Sequence, residues 1–354
     1  MPTNTTLTAI TVAVALGLVG APAPAGAATS TPDGPGVVYE IQYLGNLGMA
    51  WGQATDVNAS GVITGSTQDA EGWYRAFVWD PQTGVMTGIP NGPFIQTEGV
   101  GINNRGQVVG VGTLEVPFDT SRAFVWDPRT GVTTALGTLG GQGSIAMAIN
   151  DRGQVTGSST TVDGQRHPFM WDPRTGVMTD LGTLGGDSPG ASWVSGYGIN
   201  NRGQVAGVSL APGGAERAFR WDPRTRVMTD LGTLPGQTTA FAWDINAAGD
   251  VAGWSAGEAG GSGVVWSAST GAITAVPCDL LGINDRGDAV GSGVLAGEFV
   301  GCVWSNRTGE VTYLPALDAG GYSGGWDISN SGVIAGYSGL SLTAVRWTPT
   351  RARS

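Results

Sequence analysis

The chain has 354 residues, of which 61 are glycine, and only 13% are charged; 28 acids against 17 arginines and no lysine leave a net charge of −11. That balance argues against a nucleic-acid-binding surface, and 41% hydrophobic residues with 13 tryptophans argue against disorder. Too little charge for a coiled coil and enough length for two small domains leave one large closed β architecture as the competing solution.

In chain order, Leu7 to Val19 form an apolar run followed by Ala21-Pro22-Ala23-Pro24 and Ala25-Gly26-Ala27. The pattern predicts a signal peptide over 1–27, cleaved after Ala27. Its run is shorter than the roughly 20 residues that span a membrane. It also lacks the usual basic start, since no Arg or Lys occurs in it. No cysteine follows the cleavage point to carry a lipid, and no later apolar stretch reaches membrane length. The expectation is a secreted, extracellular protein without membrane insertion, monomeric, with a linker over 28–37, one domain over 38–350 and a tail over 351–354.

From there the chain repeats. Tryptophans recur at Trp79, Trp126, Trp171, Trp221, Trp266, Trp304 and Trp347, at intervals of 38 to 50 residues. Between them stands Asn-x-x-Gly, at Asn58, Asn103, Asn150, Asn200, Asn246 and Asn284, with Ser329 as a seventh variant. Two landmarks alternating without a miss define seven units.

Each unit reads as four short strands. In the second, a strand ends at Gly101-Ile102-Asn103, the turn Asn103-Asn104-Arg105-Gly106 suits a type I turn with Gly in the left-handed position, and Gln107–Gly110 follows. After a variable loop come Ala123–Trp126, the turn Asp127–Gly131 with Pro128 where φ near −65° is wanted, and Val132–Leu136. Apolar residues alternate with period two and no helical period occurs. Four antiparallel strands every 40 to 50 residues are the signature of a β-propeller. The seventh unit stops after Ala344-Val345-Arg346-Trp347. The missing fourth strand is found before the first unit, where Val38–Gly48 matches Val177–Gly185 of another unit. The prediction is a seven-bladed all-β propeller of four-stranded antiparallel blades, closed by an N-terminal strand that completes the last blade. A linear solenoid is the rival and would need capped ends instead.

The segments Arg166–Trp171, Asp180–Gly186 and Ile149–Val155 resemble the bacterial extracellular HAF repeat, named for a His-Ala-Phe tripeptide. Here the tripeptide reads Arg-Ala-Phe at 75–77, 122–124 and 217–219 and His-Pro-Phe at 167–169. The resemblance spans most of 38–347, closest in units two to four. It implies a secreted repeat protein of no settled activity and supplies no catalytic residues.

The recurrent tryptophans suit blade-to-blade packing better than a ligand ring, because a ligand seldom needs seven equivalent contacts. The turns offer one or two oxygens each, too few for the roughly six of a calcium site. Arg226 stands where other units have Gly84, Gly131, Gly176, Gly271 and Gly309. Two residues before each turn asparagine stand Asp56, Gly101, Ala148, Gly198, Asp244, Gly282 and Asp327. If that strand lines a central channel, the three aspartates either hold a cation or accept backbone N–H groups. Cys278 and Cys302 are either a disulfide or two buried thiols. His167, the sole histidine, reads as a surface residue at a strand entry. Paired carboxylates among the loop acids (Asp69, Glu71, Glu115, Asp119, Asp163, Asp187, Glu216, Glu258 and Glu298) would serve a glycosidase only at a separation of about 5–10 Å.

Aromatics that do not recur have no packing role set by the repeat. They fall on the face that bears the variable loops, where function concentrates. Trp51, Trp73, Tyr74, Phe118, Trp193 and Trp254 are the candidate ligand-binding residues, with Phe94 and Phe241 near them. Folding down over the blade ends is the competing reading. The resulting expectation is a non-catalytic binding or scaffold module for an extracellular glycan or a protein partner, with no nucleic acid, metal or cofactor and no catalytic residue assigned. The alternatives are a glycoside hydrolase or lyase built on a loop carboxylate pair, and a structural spacer.

Overall fold

A computed structural model of the chain describes residues 37–114, 121–186, 193–318, 321–339 and 341–351. The signal peptide predicted over 1–27, most of the linker and Phe118 with Glu115, Asp119 and Asp187 lie outside them. The described chain is all-β: 28 strands in seven four-stranded antiparallel sheets. They form a seven-bladed β-propeller. Blade two shows the unit, with an inner strand Gln96–Ile102, then Val108–Thr113, Ser121–Asp127 and the outer strand Val132–Ala135. Among the described residues no helix is long and apolar enough to cross a membrane.

The last blade closes as expected. Val37–Tyr43 pairs antiparallel with Thr343–Arg351, from Val37 opposite Arg351 to Tyr43 opposite Val345. That makes it the outer strand of the sheet that holds Ser323–Ile328 at the centre. Tyr39 and Ile41 pack against the buried cluster that holds Trp347, Val345 and Leu314.

The core is not one mass but a series of contacts between blades. Trp79 and Phe77 of blade one pack on Ala335 and Ala344 of blade seven. Trp266 packs on Ala206 and Ala218 of blade four, Trp304 on Ala252 of blade five, and Trp347 on Val290 and Val303 of blade six. The recurrent tryptophans thus share clusters with apolar residues of the preceding blade; Trp126 and Trp171 are half-buried and the other five are buried. Cys278 and Cys302 form a disulfide, linking the start of blade six to its third strand. Closing a loop of that sequence separation (24 residues) removes roughly 3–4 kcal/mol of unfolded-state entropy in the chain-entropy account.

The turn asparagine does more than shape its turn. Asn58 Oδ1 accepts the N–H groups of Ser60 and Val62, at 3.0 and 3.1 Å. Its Nδ2 meanwhile donates across to the Asn103 carbonyl of the next blade at 3.1 Å. The same link runs from Asn103 to Asn150, Asn150 to Asn200, Asn200 to Asn246, Asn246 to Asn284 and Asn284 to Ser329, at 3.0–3.3 Å. In six of the seven blades one amide side chain therefore satisfies its own turn and ties it to its neighbour.

Candidate functional site in the central channel

Each inner strand carries a register shift at one place, the third residue before the turn asparagine or its Ser329 equivalent. The shifts fall between Ala54 and Asp56, Gly99 and Gly101, Ala146 and Ala148, Gly196 and Gly198, Ala242 and Asp244, Leu280 and Gly282, and Gly325 and Asp327. A bulge leaves its extra residue unpaired and re-aims the side chain. The seven extra residues are Thr55, Val100, Met147, Tyr197, Trp243, Leu281 and Trp326, and all line the loop-side half of the channel. Each bulge is matched by a glycine on the second strand. A Cβ at Gly110 would run into the Glu98 carbonyl oxygen, and one at Gly157 into that of Ile145. Gly65, Gly207, Gly253, Gly291 and Gly336 stand in the same relation to their inner strands, which accounts for part of the high glycine content.

The channel is divided by a floor. On the loop side is an open pit of about 920 Å³, including the solvent in its mouth. On the turn side is a basin of about 860 Å³, rimmed by the turn residues. Asp56, Ala148, Asp244 and Asp327 border both. The pit walls are aromatic and braced from behind. Trp51 meets Tyr74 edge-on at 5.0 Å between ring centroids. Trp243 meets Tyr197 at 4.6 Å and stacks on Phe241 at 5.8 Å, with Trp193 edge-on at 6.3 Å. Trp326 leans on Tyr337 at 6.2 Å. Side chains held this way pay little entropy on binding.

The floor is acidic. Ile102 N–H donates to Asp56 Oδ2 at 2.7 Å, Val57 N–H to Asp327 Oδ2 at 3.2 Å, and Ile283 N–H to Asp244 Oδ2 at 2.9 Å. In each case the aspartate belongs to one blade and the amide to the next. This is the backbone-acceptor role expected of the three aspartates. The Asp56 and Asp327 carboxyls also hydrogen-bond to each other, which requires a shared proton; burial raises Asp56 above its ordinary value, and burial with the neighbouring Asp56 raises Asp327 well above it. Burial and the Asp327 charge raise Asp244 to about 7, against the pull of the two amides bonded to it. Among the described residues no group of three or more His, Cys, Asp and Glu side chains is placed to hold a metal ion.

Of the six candidate aromatics, Trp51 lines the pit. Tyr74 and Trp193 stand behind Trp51 and Trp243 as braces. Trp254 sits one ring further out, against Phe241 at 5.8 Å, and Phe94 is buried beside Phe124. Trp73 lies in the hairpin turn of blade one, where its N–H donates to Asp69 Oδ1 at 2.8 Å. Phe118 is outside the described residues. Trp243, Trp326, Tyr197 and Glu98 were not anticipated. For Trp243, Trp326 and Tyr197 the signal was present as large, non-recurring side chains three residues before the turn asparagine or Ser329, but an unbulged strand would have placed only the aspartate position in the channel; Glu98, five residues before Asn103, carried no such mark.

Among the described residues the loop acids do not line the pit. Asp69 caps its own loop and pairs with Arg75 at 2.7 Å, and Glu71, Glu258 and Glu298 are exposed. His167 is less exposed than expected: its side chain is 17% accessible and its Nδ1 lies 2.8 Å from Asp180.

No protein-family profile and no curated protein sequence matches the chain. Among solved structures it is similar to an oligogalacturonate lyase in complex with manganese, with a TM-score of 0.56 at 11% identity over 90% of this chain and 97% of that one. It is also similar to the β-propeller domain of the Trilobed protease from Pyrococcus furiosus, with a TM-score of 0.54 at 10% identity over 86% of this chain and 98% of that one. At such identities the likeness is one of fold, and the fold it supports is the β-propeller.

Proposed function

We propose that the chain is a secreted, non-catalytic binding module related to the HAF repeat proteins. It holds an extracellular glycan or protein partner at the loop-side mouth of the channel. The observation that carries this reading is the pit with three tryptophans, Trp51, Trp243 and Trp326, each braced by a second ring. Rigid aromatics around a concavity are what binding surfaces favour. A spacer has no use for such a pit.

One observation favours the hydrolase or lyase alternative: Asp56 and Asp327 meet on the pit floor. Against it, carboxyls in direct hydrogen bond are closer than the roughly 5–10 Å that glycosidase pairs keep, and both already accept backbone amides. The purified protein is to be incubated with cell-wall and plant polysaccharides, reading retention and new reducing ends together. Retention without turnover, lost in Trp243→Ala and kept in Trp73→Ala, is the expected result. New reducing ends abolished by Asp327→Asn would replace the binding reading with the enzymatic one. No retention and no turnover would remove glycans and leave a protein partner.

A further inference from the structure

The pit combines two features that seldom meet by chance. Four carboxyl groups line it, those of Asp56, Glu98, Asp244 and Asp327, and among the described lining residues there is no arginine or histidine. Trp51, Trp243 and Trp326 line the same pit, together with Tyr197 and Met147. A compact metal ion needs about six oxygens at short range, whereas two of the Asp244 oxygens' sites are already taken by the Ile245 and Ile283 amides, at 2.7 and 2.9 Å. A diffuse organic cation needs no such shell. It needs aromatic surface within reach, a negative field and shelter from water.

We infer that the pit is a receptor for an organic ammonium group of about the size of choline, seated between Trp51, Trp243 and Trp326 above the Asp244 carboxylate. The inference rests on the binding-module reading and names the chemistry of its ligand. Binding is then linked to protonation. Asp244 faces Asp327 and Asp56 across the floor, Asp285 on the turn side, and Glu98 and Tyr197 on the wall. Since its carboxyl loses its proton only near pH 7, the cation binds best on the alkaline side of that value and loses affinity below it.

The test is a titration of the intact protein with choline chloride and with its neutral isostere 3,3-dimethylbutan-1-ol, followed by calorimetry and tryptophan fluorescence on both sides of pH 7. Choline is expected to bind saturably and about tenfold more tightly than the isostere, with that preference shrinking in acid. Asp244→Asn should abolish the preference while leaving weak binding of both compounds, and Trp243→Leu should weaken both, with circular dichroism confirming that each variant is folded. Equal affinity for choline and the isostere, or no saturable choline binding in the wild-type protein, overturns the inference without recourse to any variant. Polysaccharide retention without choline binding would leave the module standing and remove the ammonium ligand. Choline binding without retention would do the reverse.

Discussion

Arg226 sits in the left-handed region with φ of 58°, where the equivalent Gly84, Gly131, Gly176, Gly271 and Gly309 have φ between 69° and 74°. Its N–H still closes the turn onto the Asp222 carbonyl at 2.8 Å. The turn is thus kept and the side chain carries the strain of that conformation, about 1–2 kcal/mol. Arg226→Gly is expected to raise the melting temperature by about 2 °C or more, measured by calorimetry; a fall would mean that the arginine side chain makes up for its backbone. Asp244 gives a pH dependence of defined sign. Its folded pKa, about 7, lies above the ordinary value of 3.8, so between those values the unfolded chain releases a proton that the folded chain keeps. Stability from this group is therefore full in acid below that range and falls as pH rises toward 7; Asp56 and Asp327, also raised, act in the same direction. Melting curves across this range should show a decline, shallower in Asp244→Asn. A steeper decline in that variant would show that other groups govern the profile.

The terminal strand is the element on which closure depends. Val37–Tyr43 covers the edge of Thr343–Arg351 and shelters the cluster around Trp347. Without it, a bare edge and a wet core face solvent. Deleting residues 38–48 is expected to unfold or aggregate the protein, and a melting curve unchanged by the deletion would show that closure lies elsewhere. The inner strands make a different point. Alternation of apolar residues identifies them as strands, and their bulges came with no obvious mark. The mark was in the neighbouring strand, where a glycine stands seven residues after each turn asparagine or its Ser329 counterpart, from Gly65 to Gly336. Only the collision it avoids, with the carbonyl opposite, reveals what that glycine permits.

Across the whole ring, the hydrogen bonds from turn to turn run from blade one to blade seven and then stop. The Asn58 carbonyl accepts from Gly61 within its own turn, but Ser329 of blade seven turns its hydroxyl to Ser331 and Val333 instead of reaching across. Blades seven and one are held there by the Val57 amide on Asp327 and by the packing of Trp79 on Ala335 and Ala344. Ser329→Asn should complete the series and stabilise the ring by about 1 kcal/mol, the net worth of one such bond. A lower denaturation midpoint in that variant would mean that this junction differs in shape from the other six.

The period of the tryptophans and turn asparagines, the alternation within strands and the lone strand at the N-terminus were sufficient to specify seven blades and their closure, because each depends on local chemistry or on a repeat that can be counted. The strained Arg226 turn was legible for the same reason. The pit was not. Trp243, Trp326 and Asp244 lie far apart along the chain, and they share a cavity only because closure brings seven inner strands to one axis and a bulge in each turns two successive side chains toward it. The acidity of its floor belongs to the same level: Asp56 and Asp327 are at opposite ends of the chain, and it is the ring that places their carboxyls within one hydrogen bond of each other.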